Sequence, residues 1–210
     1  MEALACVSDF DDCLVRLTDR SKLFGIFTSA SDGLSRAGVE RIYRKVRDSI
    51  GFSATHMINA IRGEGYSINE KAVCAALDRW LKNSLEPYHD TMQFVGRVRA
   101  SNIPFIVITF GEEKYQIKKV QMSGIPYDQL IVVSSPAEKV ERIREVIKKF
   151  GRPIVYIDDK ATTLDKIARA FSPETVLTVR PVRGPYRMLA AKRMHWEIAS
   201  FAQLPAFSSA

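Results

Sequence analysis

Cysteine and histidine are scarce in this chain, three of each in 210 residues. Cys6, Cys13 and Cys74 are odd in number, far apart and form no CxxC pair, which predicts free thiols and excludes both a disulfide framework and a zinc site. His56, His89 and His195 have no metal-ligand spacing and read as structural or surface residues. No apolar run approaches the roughly 20 residues that a membrane span needs, so no membrane partner is expected. The first residues lack the basic stretch and long apolar segment of a secretory signal, which points to a cytoplasmic protein. Internal repeats and low-complexity segments are missing too. Disorder is therefore expected only at the ends, with Leu204 to Ala210 frayed.

Acidic residues are in the minority: 24 aspartates and glutamates face 31 lysines and arginines, for a net charge of +7 and a pI of about 9.4. Such a surplus attracts phosphate-bearing molecules of any size. One basic cluster is Arg36, Arg41, Arg44, Lys45 and Arg47; another is Arg180, Arg183, Arg187, Lys192 and Arg193. Neither interleaves aromatics as a nucleic-acid platform does, so a solvated helix face accounts for each, and nucleic acid is a possible but not a favoured partner. Hydrophobic residues at 46% and charged residues at 26% are globular proportions. The length suits one domain with an insertion, or two small domains, and a substantial core.

What is present is an α/β rhythm with an interruption. Residues from about 20 to 95 read almost wholly helical: Ser35 to Ile50 carries Val39, Ile42, Tyr43 and Val46 at helical spacing, Thr55 to Ile61 is a short apolar-faced helix, and Asn69 to Leu85 repeats Val73, Ala76, Leu77, Trp80 and Leu81. Beyond Pro87 the pattern predicts helices over Thr91 to Ala100, Glu113 to Met122, Glu138 to Phe150 and Ala161 to Ala170. It predicts strands over Ile103 to Ile108, Leu130 to Val133, Ile154 to Ile157 and Thr175 to Val179. Gly124 and Gly151 sit where helices should stop. Strands that are apolar throughout and alternate with helices imply a parallel sheet covered on both faces. The fold class is α/β: a doubly wound parallel sheet built from residues 1–18 and 96–210, with a helical cap inserted at 19–95. Trp80 and Trp196 read as core or interface anchors.

In an open α/β sheet, ligands bind beyond the carboxyl ends of the strands. The first strand there delivers Asp9 and Asp11, two residues apart and so toward one side. Two like charges about 4 Å apart at an effective dielectric near 20 repel by roughly 4 kcal/mol, so the pair should bind a cation, take up a proton or splay. The next strand delivers Thr109, Phe110 and Gly111, a hydroxyl and a glycine turn able to offer donors to an anion, although a plain helix cap is the commoner role. Lys139 falls in the first turn of a helix, where the macrodipole disfavours a cation. The strand Ile154 to Ile157 delivers Asp158 and Asp159, with Asp165 further on. Two acidic pairs at one sheet edge call for a hard divalent cation, and oxygen ligands favour magnesium.

With these residues in this order the chain resembles the haloacid dehalogenase superfamily of phosphotransferases. Its first motif is matched by Asp9, Phe10, Asp11, Asp12, Cys13 and Leu14, its second by Thr109, its third by Lys139 and its fourth by Asp158 and Asp159. Lys118 and Lys119 compete for the third, and Cys13 stands where Thr or Val is usual. The insertion lies where one class of members carries its cap. The resemblance implies a magnesium-dependent phosphatase acting on a small phosphorylated metabolite. Asp9 is then the nucleophile that forms an aspartyl-phosphate and Asp11 the general acid and base. The metal is held by Asp9, the backbone carbonyl of Asp11 and Asp158, with Asp159 orienting bound water. Thr109, Phe110, Gly111 and Lys139 hold phosphate oxygens. Members that act as dehalogenases lack the second aspartate. Two rivals are a receiver-type signalling domain, poorly fitted by the long helical stretch before Thr109, and a catalytically idle or regulatory member that binds nucleic acid or a protein through its basic surface.

Overall fold

A computed structural model describes residues 1–208, apart from the side chain of Asp48. Strand β1 (Ala5–Ser8) leads through β2 (Val15–Leu17) into four helices, α1 (Arg20–Ser29), α2 (Arg36–Ser49), α3 (Ala54–Gly63) and α4 (Glu70–Ser84). The chain returns through β3 (Leu85–Pro87) and α5 (Thr91–Ala100) to β4 (Phe105–Phe110), α6 (Glu113–Met122), β5 (Gln129–Val133), α7 (Lys139–Phe150), β6 (Ile154–Ile157), α8 (Ala161–Ala170), β7 (Val176–Pro181) and β8 (Trp196–Ile198).

Six strands form one sheet in the order β5-β4-β1-β6-β7-β8, and every pairing in it is parallel. The α/β class and the doubly wound sheet expected from the sequence are therefore present. Period-two alternation gives the sheet two apolar faces. Cys6, Phe105, Val107, Val155, Ile157 and Val179 join a core closed by α5 and the C-terminal segment. Ala5, Val7, Ile106, Ile108, Ile154 and Tyr156 join a second core under α7 and α8. Strand β1 lies between β4 and β6, so the winding of successive strands changes side there and a crevice opens at its carboxyl end.

Helices α1 to α4 pack around a core of their own, including Phe27, Val39, Ile42, Met57, Ile61, Val73, Leu77 and Leu81. The starts of α2, α3 and α4 are capped as the sequence allows: Ser35, Ser53 and Asn69 side chains accept from the backbone N–H of Gly38, His56 and Ala72. Both ends of this helical stretch meet in the antiparallel β2–β3 pair, with Val15 opposite Pro87 and Leu17 opposite Leu85. Neither strand was expected, nor was β8, because three residues carry no measurable period. Among the described residues no helix is long and apolar enough to cross a membrane. Cys6, Cys13 and Cys74 are free thiols.

Two expectations fail in instructive ways. Residues 204–208 are not frayed: Leu204 and Phe207 are buried, Arg97 and Ser101 donate to their carbonyls, and Ser208 N–H donates to Met1. Ser209 and Ala210 lie outside the described residues. The second basic cluster is not a helix face. Arg180 and Arg183 are buried, and residues 182–195 form a loop. Arg180 holds that loop through the carbonyls of Tyr186 (3.0 Å) and Leu189 (2.6 Å), and Asp165 holds it through the N–H groups of Lys192 and Arg193. Trp196, on the edge strand, is 37% exposed, while Trp80 is buried with its indole N–H on the Asp19 carbonyl.

Arg183 ties this loop to the core. Its guanidinium pairs with Asp90 at 2.8 Å, donates to the Cys13 carbonyl, and lies 4.2 Å from the Tyr88 ring centroid and 4.1 Å from that of Phe201. Removing one partner of a buried pair strands the other. Arg183→Ala is expected to cost about 3 kcal/mol and to lower Tm by roughly 6–12 °C in a thermal melt; an unchanged Tm would show that Asp90 is satisfied without it.

Candidate active site

The crevice beside β1 gathers the carboxylates. Asp9 continues the alternation of Val7, and Asp158 that of Tyr156, toward the face covered by α7. The Asp9 N–H donates to the Ile157 carbonyl at 2.8 Å, fixing the two strand ends side by side. Carboxylate oxygens of Asp9, Asp158 and Asp159 lie within 4.8 Å of one another, and all three residues are buried. Lys139, the first residue of α7, reaches between two of them, 2.9 Å from Asp9 Oδ1 and 2.9 Å from Asp158 Oδ2. A cation disfavoured by its helix is thus held by two anions.

Asp158 is fully served: Tyr156 Oη donates to Oδ2 at 2.8 Å and the Lys160 N–H to Oδ1 at 2.9 Å. Asp159 has nothing. Both of its oxygens are buried without a hydrogen-bond partner among the described residues. Burial, with Asp158 and Asp9 adding to it, pushes the Asp159 carboxyl up to about 9. Burial also lifts Asp9, to about 6, with Lys139 pulling against the lift and Asp158 adding to it. Burial works against the Lys139 ammonium as well, but Asp158 and Asp9 outweigh it and hold the group well above its ordinary value.

Three buried carboxyl groups share one ammonium at ion-pair distance, Lys139, with the Lys160 charge acting on Asp9 and Asp159 from further off, so the cluster holds more acids than cations and must take up a proton or a further cation. A buried carboxylate pair of oxygens without a donor, in an all-oxygen set, fits a hard divalent cation of the magnesium type. Asp9, Asp158 and Asp159 would hold it. Asp11 does not belong to that cluster: its carboxylate pairs with Lys119 at 2.5 Å. Lys119 is itself buried, 5.6 Å from the Phe10 ring centroid and 5.4 Å from that of Tyr115. The repulsion expected between Asp9 and Asp11 is met by giving each its own lysine. Lys118 points away, to Asp78.

Thr109 is buried at the end of β4, and its hydroxyl donates to Gln116 Oε1 at 3.2 Å. Gln116 in turn donates to the Phe110 carbonyl, and the Gly111 N–H donates to the Val133 carbonyl at 3.1 Å. Gly111 has φ +145°, and a Cβ there would come within 2.7 Å of Gln116 Nε2, so the turn admits only glycine without rearrangement. From the helical side, Gly51 presses against it: a Cβ on Gly51 would lie 2.9 Å from Gly111 Cα.

Between these parts lies a cavity of about 280 Å³ bordered by Asp11, Arg20, Phe52, Tyr115, Lys119 and Lys160, among others. Of these, sequence reasoning named only Asp11 and, as a competitor, Lys119. Lys160 follows the acidic pair directly and was the one residue a closer reading of that motif could have found. Arg20, Phe52 and Tyr115 come from separate elements and carry no local signal.

No family model matches the chain, and no curated protein matches it in sequence. Solved structures do match its backbone. One described as a haloacid dehalogenase-like hydrolase, from Burkholderia xenovorans LB400, superposes with a TM-score of 0.70 at 15% identity, over 94% of this chain and 93% of that one. An L-2-haloacid dehalogenase superposes at 0.62 with 11% identity over 96% of each chain. CbbY from Rhodobacter sphaeroides in complex with phosphate superposes at 0.61 with 14% identity, again over 96% of each. The chain thus has the fold of haloacid dehalogenase-like hydrolases.

Burial and the neighbouring Asp158 and Asp9 push the Asp159 carboxyl up to about 9 in the folded chain, against about 3.9 unfolded. Its contribution to stability is fully present below the unfolded value and is lost as pH rises through the folded one. In chelator, Asp159→Asn is expected to raise Tm least near pH 5 and by on the order of 5 °C near pH 9. A gap between variant and parent that stays constant with pH would show Asp159 to be solvated or paired.

Proposed function

We propose that this protein is a magnesium-dependent phosphatase that hydrolyses a small phosphorylated metabolite through an aspartyl-phosphate. The observation that carries the reading is the pairing of two aspartates, two residues apart, with separate lysines, beside a buried three-carboxyl cluster in which Asp159 has no hydrogen-bond partner among the described residues. In this reading a carboxylate oxygen of Asp9 bonds to phosphorus as the bond to the leaving oxygen breaks. Asp11 hands that oxygen a proton, then takes one from the water that attacks phosphorus and frees phosphate and Asp9. Lys139 orients Asp9 and offers an ammonium to phosphoryl oxygens, as Thr109 offers a hydroxyl. The cation would be held by Asp9, Asp158 and Asp159 and would offset the charge that keeps a carboxylate away from a phosphate. Helices α1 to α4, as a cap over residues 19–95, exclude water during the first step.

Likeness to dehalogenases does not favour carbon–halogen cleavage here, because that chemistry leaves Asp11 and the unpartnered Asp159 without a task. The idle, nucleic-acid-binding reading loses part of its support, since Arg180 and Arg183 are interior and paired. In a release assay with phenyl phosphate, magnesium should support turnover and excess chelator should abolish it. Asp9→Asn is expected to lower kcat by at least about a thousandfold, the scale of losing a covalent nucleophile. Because the side chain is isosteric and relieves repulsion, Tm should hold within about 2 °C, a sub-kcal/mol change. Residual turnover within tenfold of the parent would remove Asp9 as nucleophile, and full activity in chelator would remove the cation.

A further inference from the structure

The cavity beside Asp11 has a composition that the reaction itself does not explain. Tyr43, Phe52 and Tyr115 form one connected aromatic wall, with ring centroids 5.5 Å apart between Tyr43 and Phe52 and 5.4 Å apart between Phe52 and Tyr115. Two of the lining cations are already engaged: Arg20 by Asp12 at 2.6 Å and Lys119 by Asp11 at 2.5 Å. Lys160 is different. No carboxylate lies within ion-pair distance of its ammonium among the described residues, and Nζ sits 4.9 Å from the centroid of the Tyr186 ring, which lines the same space. Its backbone is pinned to the reaction site by the N–H bond to Asp158, so the side chain projects from a fixed point.

Lys160 makes no direct ion pair, although Asp9 and Asp158 stand near enough to favour its charged form, and an ammonium so placed beside a group of rings is complementary to a flat group that carries negative charge of its own. At about 280 Å³ the space is at the lower end of small-molecule sites and suits a single ring. Resting on the phosphatase reading above, we propose that the substrate is the phosphomonoester of a small aromatic ring bearing a second anionic group, and that Lys160 is the residue that selects for that group. The ring packs among Tyr43, Phe52 and Tyr115, which are inclined to one another by 57° and 82°, and its charge faces Lys160.

The test uses the full chain loaded with magnesium. Phenyl phosphate is compared with 3- and 4-carboxyphenyl phosphate, each of which takes up water to give hydroxybenzoate and phosphate. At least one carboxylated ester should exceed phenyl phosphate by about tenfold or more in kcat/KM, the scale of one charged hydrogen bond. Lys160→Gln should bring that ratio to within threefold of unity, and Lys160→Arg should keep most of it. Equal kcat/KM for all three esters, or an equal loss on all three in Lys160→Gln, would overturn the proposal, the second by assigning Lys160 to the reacting phosphate. Calorimetric titration with 3- and 4-hydroxybenzoate, against phenol, separates the two levels of the account. If no ester is hydrolysed but a hydroxybenzoate binds in a Lys160-dependent way, the cavity assignment stands and the phosphatase reading falls. If no ester is hydrolysed and neither acid binds, both fall.

Discussion

One ammonium stands between two buried carboxylates while a third has no partner, and the rest of the site is arranged around that imbalance. Lys139 lies 2.9 Å from both Asp9 and Asp158, and Asp159 receives no hydrogen bond among the described residues. Burying such charges unpaired costs several kcal/mol per ion, so the arrangement persists only if protons or a cation complete it. The carboxyl of Asp159, pushed up to about 9 by burial and its acidic neighbours, shows the first of these answers. The all-oxygen donor set allows the second.

The fold makes the imbalance possible. Because β1 sits between β4 and β6, one crevice receives Asp9, Thr109 and the Asp158–Asp159 pair from three neighbouring strand ends. Alternation sends Asp9 and Asp158 toward the face on which α7 packs, and α7 begins with Lys139. Asp11, past the end of the strand, faces the helical side instead and meets Lys119 of α6. The same geometry therefore gives the two aspartates separate partners, Lys139 for Asp9 and Lys119 for Asp11, and opens the aromatic cavity beside the latter.

The strand-end residues were legible in the sequence because each follows an apolar run long enough to show its period. The sheet class followed for the same reason, as did the helices around Val39, Val73 and Ile143. Choosing among Lys118, Lys119 and Lys139 was beyond chain order, since it depends on which helix start abuts β1. The strands β2, β3 and β8 are too short to have a period, and β2–β3 pairing joins residues about 70 positions apart. Arg180 and Arg183 looked like surface charge because their partners, Glu197 and Asp90, are set by the path of a loop with no regular pattern. Phe201 and Phe207 mattered for what they touch: stacking of Phe201 on Phe94, with centroids 4.3 Å apart, ties down a segment that composition alone suggested would fray. Cavity residues such as Arg20, Phe52 and Lys160 are brought together only by tertiary packing.

Proton release on magnesium binding probes the three-carboxyl cluster most directly. Calorimetric titration of the full chain near pH 7.5, repeated in buffers of different ionisation enthalpy, counts the protons displaced per ion bound. Since Asp159 must give up its proton to become a ligand, the count should be close to one. Binding without proton release, or no binding at all, would contradict the claim that Asp9, Asp158 and Asp159 form a cation site.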